Sequence, residues 1–220
     1  MKSNSFWAWI LALFLLAWSV PSAADEDQFW GSSPPQELLN LLREIRQQYG
    51  TDAVTLVGWL LDATVHSGSI LTASIKVNGL EDHMSQKFLA FRVQTGIIFN
   101  TLALDQTGRL NALWEKILAP TFTHLDNLTV PADGVAIDLL YNNKPYRDAE
   151  ELRRTLDNTG TPEEAKFYFS TKAIQAYLSK ILSAQELIDR SIITVNSAPV
   201  QLLLPPTSTD GRGTSIILGD

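Results

Sequence analysis

Apolar residues set the period of this chain. Leu38, Leu41, Leu42, Ile45 and Tyr49 recur every three or four positions, which predicts an amphipathic helix. Ser33 can cap it, Pro34 suits its first turn, Gln36 completes a capping box and Gly50 stops it. Val54 to Leu61 is apolar on both alternating faces and reads as a central strand. Leu71, Ala73, Ile75 and Val77 alternate with Thr72, Ser74 and Lys76, a half-buried strand ended by Asn78-Gly79. Leu89, Phe91 and Val93 alternate with Arg92 and Gln94, and Gly96 marks a bulge or bend before Ile97, Ile98 and Phe99. These segments predict a meander of antiparallel strands.

Beyond it the period lengthens again. Leu110, Leu113, Trp114 and Ile117 line one helical face that Pro120 ends. Val135, Ile137, Leu139 and Tyr141 give a strand, and Asp148 caps a helix with Glu151 three residues on and Gly160 as its close. Ala165 to Phe169 is a short strand, and Ile174, Tyr177, Leu178 and Ile181 make a helix. Ser183 with Glu186 opens a further short one. Ile192, Ile193 and Val195, then Val200, Leu202 and Leu204, form a closing hairpin around Asn196-Ser197-Ala198-Pro199. Strands cluster first and helices intersperse later. The expected class is α+β, a mainly antiparallel sheet with about four or five helices packed on one face in a single domain. No internal repeat is visible.

The two ends change the picture. Lys2 precedes an uninterrupted apolar run, Phe6 to Val20, followed by Pro21 and the small residues Ser22-Ala23-Ala24. That is the pattern of a secretory signal peptide, cut between Ala24 and Asp25. The run is shorter than the roughly 20 residues of a spanning helix, and the acidic Asp25-Glu26-Asp27 follows it. The expected organisation is a signal peptide at 1–24, a linker at 25–33, the α+β domain at 34–204 and a flexible C-terminal tail at 205–220. The apolar triplet Ile216-Ile217-Leu218 in that tail could dock back on the domain. The expected location is secreted or periplasmic, with a lean toward a bacterial envelope.

Composition then removes whole classes of chemistry. The chain has no cysteine, so thiol nucleophiles, disulfide frameworks and cysteine-based zinc sites are out. Its formal net charge of −7 argues against nucleic acid and anionic membrane surfaces as partners. His66, His83 and His124 never fall at helical ligand spacing, and Glu81-Asp82-His83 are consecutive in a solvated loop, so no metal site is expected. No Gly-x-Ser-x-Gly elbow or glycine-rich phosphate loop occurs, and Ser67-Gly68-Ser69 reads as a turn. Glu115, Asp126, Asp133 and Asp138 supply carboxylates, but only distance could pair them for glycoside cleavage. Val130-Pro131-Ala132-Asp133-Gly134 reads as a tight turn with Gly134 at positive φ. Tyr141-Asn142-Asn143-Lys144-Pro145-Tyr146 reads as an exposed connection, and Asn127-Leu128-Thr129 fits a glycosylation triplet.

The sharpest chemical candidate is Asp105, in Asp105-Gln106-Thr107-Gly108, after an apolar run and before a helical pattern. Over these four residues the chain resembles the Asp-Lys-Thr-Gly element of the haloacid dehalogenase superfamily, with Gln106 in place of the lysine and Arg109 where the family has threonine. The resemblance implies a phosphoryl-accepting aspartate on a parallel sheet. The residues themselves favour a helix cap instead. Asp157-Asn158-Thr159-Gly160 is closer in letters but follows a charged helix, where Gly160 serves as a stop. The expected function is therefore non-catalytic, cofactor-free binding of a partner protein or an apolar small molecule outside the cytoplasm, between sheet and helices. The alternative is a secreted carboxylate-based hydrolase, phosphatase-like and centred on Asp105.

Overall fold

A uniformly apolar run has two ways to bury itself, and the computed structural model chooses the helix for the first one. It describes residues 36–66, 74–125, 127–154 and 160–205. Helix α1 spans Gln36–Tyr49 and α2 spans Thr51–His66, joined by Gly50 at φ 90°. The expected central strand at Val54–Leu61 is thus corrected to helix. Its buried positions are Ala53, Leu56, Val57, Leu60 and Ala63, a helical and not an alternating period. Thr64 helps by returning its hydroxyl to the Leu60 carbonyl at 2.6 Å.

The first strands are β1 (Ser74–His83) and β2 (Gln86–Asn100). Asn78-Gly79 does not end β1. Gly79 adopts φ 84°, the register slips between Val77 and Gly79, and the strand runs on to His83. Its hairpin with β2 turns at Met84 and Ser85, both at positive φ. The expected bend at Gly96 is present as a second register shift, between Gln94 and Ile98, with Gly96 at φ 67°.

Helix α3 (Gln106–Leu113) continues through one wide π turn, Trp114–Leu118, into α4 (Ala119–Thr123). Pro120 therefore does not end the helical run. It sits in the first turn of α4, where a proline's missing N–H is tolerated, and the wider turn ahead of it bonds Ala119 N–H back to Trp114. This crossover makes the next strand, β3 (Gly134–Lys144), parallel to β2. Then come α5 (Ala149–Arg154), β4 (Thr161–Ser170), α6 (Thr171–Leu178), α7 (Ala184–Asp189), β5 (Ile192–Val195) and β6 (Ala198–Val200). The six strands lie in sequence order, antiparallel except for β2 and β3. The fold is α+β with a mostly antiparallel sheet.

Alternation sorts the sheet's side chains. Leu89, Phe91 and Val93 of β2, Val135, Ile137 and Leu139 of β3, and Phe167 and Phe169 of β4 share one core with the helices. Phe122 of α4 meets Phe169 edge-to-face at 5.0 Å, fixing the crossover on the sheet. The intervening residues face the other way. There Phe88, Ala90, Ala136 and Tyr168 form a second buried cluster. Among the described residues no helix is long and apolar enough to cross a membrane.

Candidate functional site

Three places gather chemistry. The first is where the crossover helix meets the sheet. Tyr141 and Glu163 are directly opposite on β3 and β4, and Arg109 of α3 reaches down to them. Its Nε and Nη2 lie 3.2 and 3.1 Å from Glu163 Oε2, while Nη1 donates to the Leu104 carbonyl at 3.0 Å. Tyr141 Oη donates to the same carboxylate at 2.5 Å and Asn143 Nδ2 at 2.9 Å. The Tyr141–Lys144 stretch is therefore buried strand, not an exposed aromatic loop; only Pro145 and Tyr146 belong to the connection.

Burial pushes the Glu163 carboxyl up, but the bonds from Tyr141 and Asn143 and the Arg109 charge outweigh it and hold its pKa below the ordinary value. The unfolded chain, with a glutamate pKa near about 4.3, then takes the proton first as pH falls. Stability contributed by this carboxylate is present above that value and is lost as pH falls toward the lower folded pKa. The urea midpoint should drop between about pH 5 and about pH 3, and Glu163→Gln should flatten that limb. Asp138 acts in the opposite sense, so the difference between the two proteins is the quantity to measure.

The second place is the other sheet face. Glu164 adjoins Glu163 in sequence but points the opposite way and finds a different arginine. Arg92 binds Asp138 at 2.6 Å and Glu164 at 3.0 Å. Asp138 is 1% exposed; burial raises its pKa despite the Arg92 hydrogen bond. Lys166 of β4 sits 2.7 Å from Glu81 of β1, and His83 of β1 stacks on Tyr168 of β4 at 4.1 Å. Two strands separate β1 from β4, roughly 14 Å in a flat sheet. The side chains meet because the strands between present Ala90 and Ala136 there. Burial opposes the Lys166 charge, but Glu81 more than compensates and raises its pKa. Glu81 and His83 thus belong to a strand, not to a solvated loop, and converge on β4. Among the described residues no group of three or more histidine and acidic side chains could hold an ion.

The third place is a groove of about 380 Å³ between the end of α7 and the β5–β6 hairpin. Its walls are Ile188, Ile193, Val200, Leu202 and Leu203, with Asp189, Ser191 and Gln201 as polar members. Ser183 and Glu186 form the full capping box that starts α7. Within the same first turn, Gln185 holds the opposite wall. Its Nε2 donates to the Leu202 carbonyl at 3.2 Å, and its Oε1 accepts from the Leu204 amide at 2.7 Å. The Asn196-Ser197 turn, both residues at positive φ, sets the register that turns Ile193 and Val200 toward each other. Family models, curated proteins and solved structures give no match to this chain.

Asp105 lies in none of these places. It is exposed, and its Oδ1 accepts the Gly108 amide hydrogen at 2.7 Å, so it caps α3. Asp105→Ala should cost about 1 kcal/mol, whereas Asp105→Asn, an equally good cap, should leave the melting temperature nearly unchanged. Asp133 joins β2 through Lys87, accepting its amide hydrogen at 2.8 Å on Oδ2, and Glu115 is exposed on the π turn. His124 stacks on Trp59 at 4.1 Å. Asn127 is exposed, its Nδ2 3.2 Å from Thr129 Oγ1. The predicted positive φ at Gly134 is absent; glycine is needed there for close approach instead. The His66 side chain, Ser67-Gly68-Ser69, Asp126, Asp157-Asn158-Thr159, Ala24, Asp25 and the tail from Pro206 lie outside the described residues.

The first two sites are hidden in the sequence because each is assembled from distant segments, whereas the groove is built within residues 188–203. Arg109 on an otherwise apolar helical face, and Asp138 within an apolar strand, were the available signals.

Proposed function

We propose that this chain is an exported, non-catalytic binding domain that takes an apolar small molecule in the groove between α7 and the β5–β6 hairpin. The observation that carries this reading is the groove's lining. Leu203 and Val200 offer apolar surface to a space of about 380 Å³ that rests on the buried Ile188, Ile193 and Leu202 and is edged by three polar residues, within the roughly 300–1,000 Å³ of small-ligand sites. Apolar burial would supply affinity, and Asp189, Ser191 and Gln201 would orient a polar head. Export rests on the leader: Lys2, the apolar run to Val20 and the small residues through Ala24. Mass spectrometry of the protein from its source should find Asp25 as the first residue.

The remaining charged clusters support a structural role for their residues. Arg109, Glu163 and Tyr141 spend their polar atoms on each other, and Arg92 is shared by two carboxylates. The hydrolase alternative at Asp105 draws less support, since one of its carboxylate oxygens is already used by its own helix.

The test is titration with dodecanoate, followed by the fluorescence of an anilinonaphthalene sulfonate probe that it displaces. Leu203 is 72% exposed on the groove wall, so Leu203→Asp should abolish binding while leaving the melting temperature within about 0.5 kcal/mol of stability. Equal binding by both proteins would overturn the assignment to this groove. A partner protein that protects Leu203 while dodecanoate fails to bind would replace the ligand reading.

A further inference from the structure

The sheet has two edges, and they are finished differently. β6 is three residues long and contains Pro199, so little backbone is left to pair there. At the other edge β1 runs ten residues, Ser74 to His83, without a proline. Among the described residues nothing pairs with its outer side. Leu80 stands on it 50% exposed, and Lys76 is exposed as well. We propose that this edge is a contact between two copies of the chain, which pair β1 with β1 antiparallel about a two-fold axis between Asn78 and Gly79. The contact lies at the opposite edge of the sheet from the α7 groove and does not depend on it.

Backbone direction, side-chain face and charge select the same register. The two-residue turn at Met84-Ser85 makes His83 and Gln86 a hydrogen-bonded pair, and bonded and non-bonded pairs alternate from there. Glu81, and beyond the bulge Lys76 and Ser74, thus spend their backbone groups on β2, while Asp82, Leu80, Val77 and Ile75 aim theirs outward. An added strand must set outward residues against outward residues. Pairing about the 78–79 axis does so, with Val77 opposite the second copy's Leu80 and Ile75 opposite its Asp82. In an unbroken strand, residues an odd number apart lie on opposite faces, and this register would fail. Asn78, the extra residue of the bulge, restores the match. Val77 and Leu80 both lie on the helix side, paired with Phe91 and Leu89, whereas Lys76 and Glu81 both lie on the other face, paired with Arg92 and Phe88. A bulge ordinarily blunts an edge. Here both extra residues fall on the axis, so neither copy's bulge meets regular strand. Each Lys76 then stands opposite a Glu81. That carboxylate already holds Lys166 at 2.7 Å and, at 28% exposed, has room for a second cation. Val77 covers the exposed Leu80.

The experiment is sedimentation equilibrium from micromolar to near-millimolar protein. The parent should approach twice the monomer mass. Lys76→Glu should weaken the dimer about tenfold, because two attractive cross-strand pairs become repulsive, and it should melt like the parent. Glu81→Lys should weaken it likewise by setting lysine against Lys76. An equimolar mixture of the two variants should regain the parent's affinity, since each cross-strand pair then joins one acid to one base. In the parent, the outward amides of Val77 and Leu80 should exchange more slowly as concentration rises, while the Glu81 amide, already turned toward β2, should not respond. A parent that stays monomeric throughout would overturn the proposal. A dimer that neither variant weakens would overturn it as well, placing the contact elsewhere on the molecule. Two folded variants that remain apart in the mixture would overturn the register. Where Glu81→Lys does not fold, because it faces Lys166, Lys76→Glu and the amide exchange decide the matter by themselves.

Discussion

Glu163→Ala is expected to destabilise the protein by about 3–5 kcal/mol, the cost of breaking one side of a buried ion pair. The carboxylate receives Arg109, Tyr141 and Asn143 together, and its side chain and that of Arg109 are only 11% and 10% exposed. Alanine would leave a buried guanidinium, a buried phenol and an amide without their acceptor. Unpaired buried donors cost more than the same bonds contribute when made. The measurement is a urea unfolding curve at neutral pH, with the midpoint moving and the slope unchanged. The double variant Arg109→Met, Glu163→Leu should recover much of the loss, because replacing both charges by apolar groups removes the desolvation penalty. A double variant no better than Glu163→Ala would show that the pair does more than fill space.

Gly134→Ala should be the second severe change. A Cβ at this position would lie 2.2 Å from the Phe169 carbonyl oxygen and 2.8 Å from Phe88 Cε1. Neither neighbour can step aside. Phe169 is fully buried and its strand is paired residue for residue with β3, while Phe88 packs edge-to-face on Tyr168 at 5.2 Å. The backbone itself must move, and overpacking of that kind costs about 1–3 kcal/mol or more. Thermal unfolding would report it. Chemical shifts should change most at Phe88 and Tyr168, on the face opposite the helices. A variant as stable as the parent would mean that the β3–β4 pair opens more easily than its ladder implies.

Local rules made much of the fold legible, and tertiary choices hid the rest. Ser183 and Glu186 announce α7 because a capping box needs only its own four residues. The Asn196-Ser197 turn and the bend at Gly96 are equally local. Val54–Leu61 misled because a run apolar at nearly every position shows no period to read, and only its packing against the sheet and the other helices decides helix over strand. The parallel pairing of β2 with β3 follows from the crossover helix, yet a meander of the same strands has an identical alternation. The candidate site was the least visible. Ile193 and Leu202 read as members of the closing hairpin and both are buried, but Leu202 lies beyond the end of β6, and nothing local records the space left between the hairpin and α7. Glu163 and Glu164 show the same limit. Two adjacent acids read as one acidic spot, whereas the strand sends them to opposite faces and to different arginines.

The β1–β2 hairpin carries one last consequence. Met84 stands at its tip, 74% exposed, at φ 47°. Met1 is the chain's other methionine. With residues 1–24 removed, Met84 would be the molecule's lone thioether, so mild peroxide treatment would write a sulfoxide at one known address. A carbon-13 methyl label on methionine would then give a single resonance, placed by the turn itself at the tip of the β1–β2 hairpin.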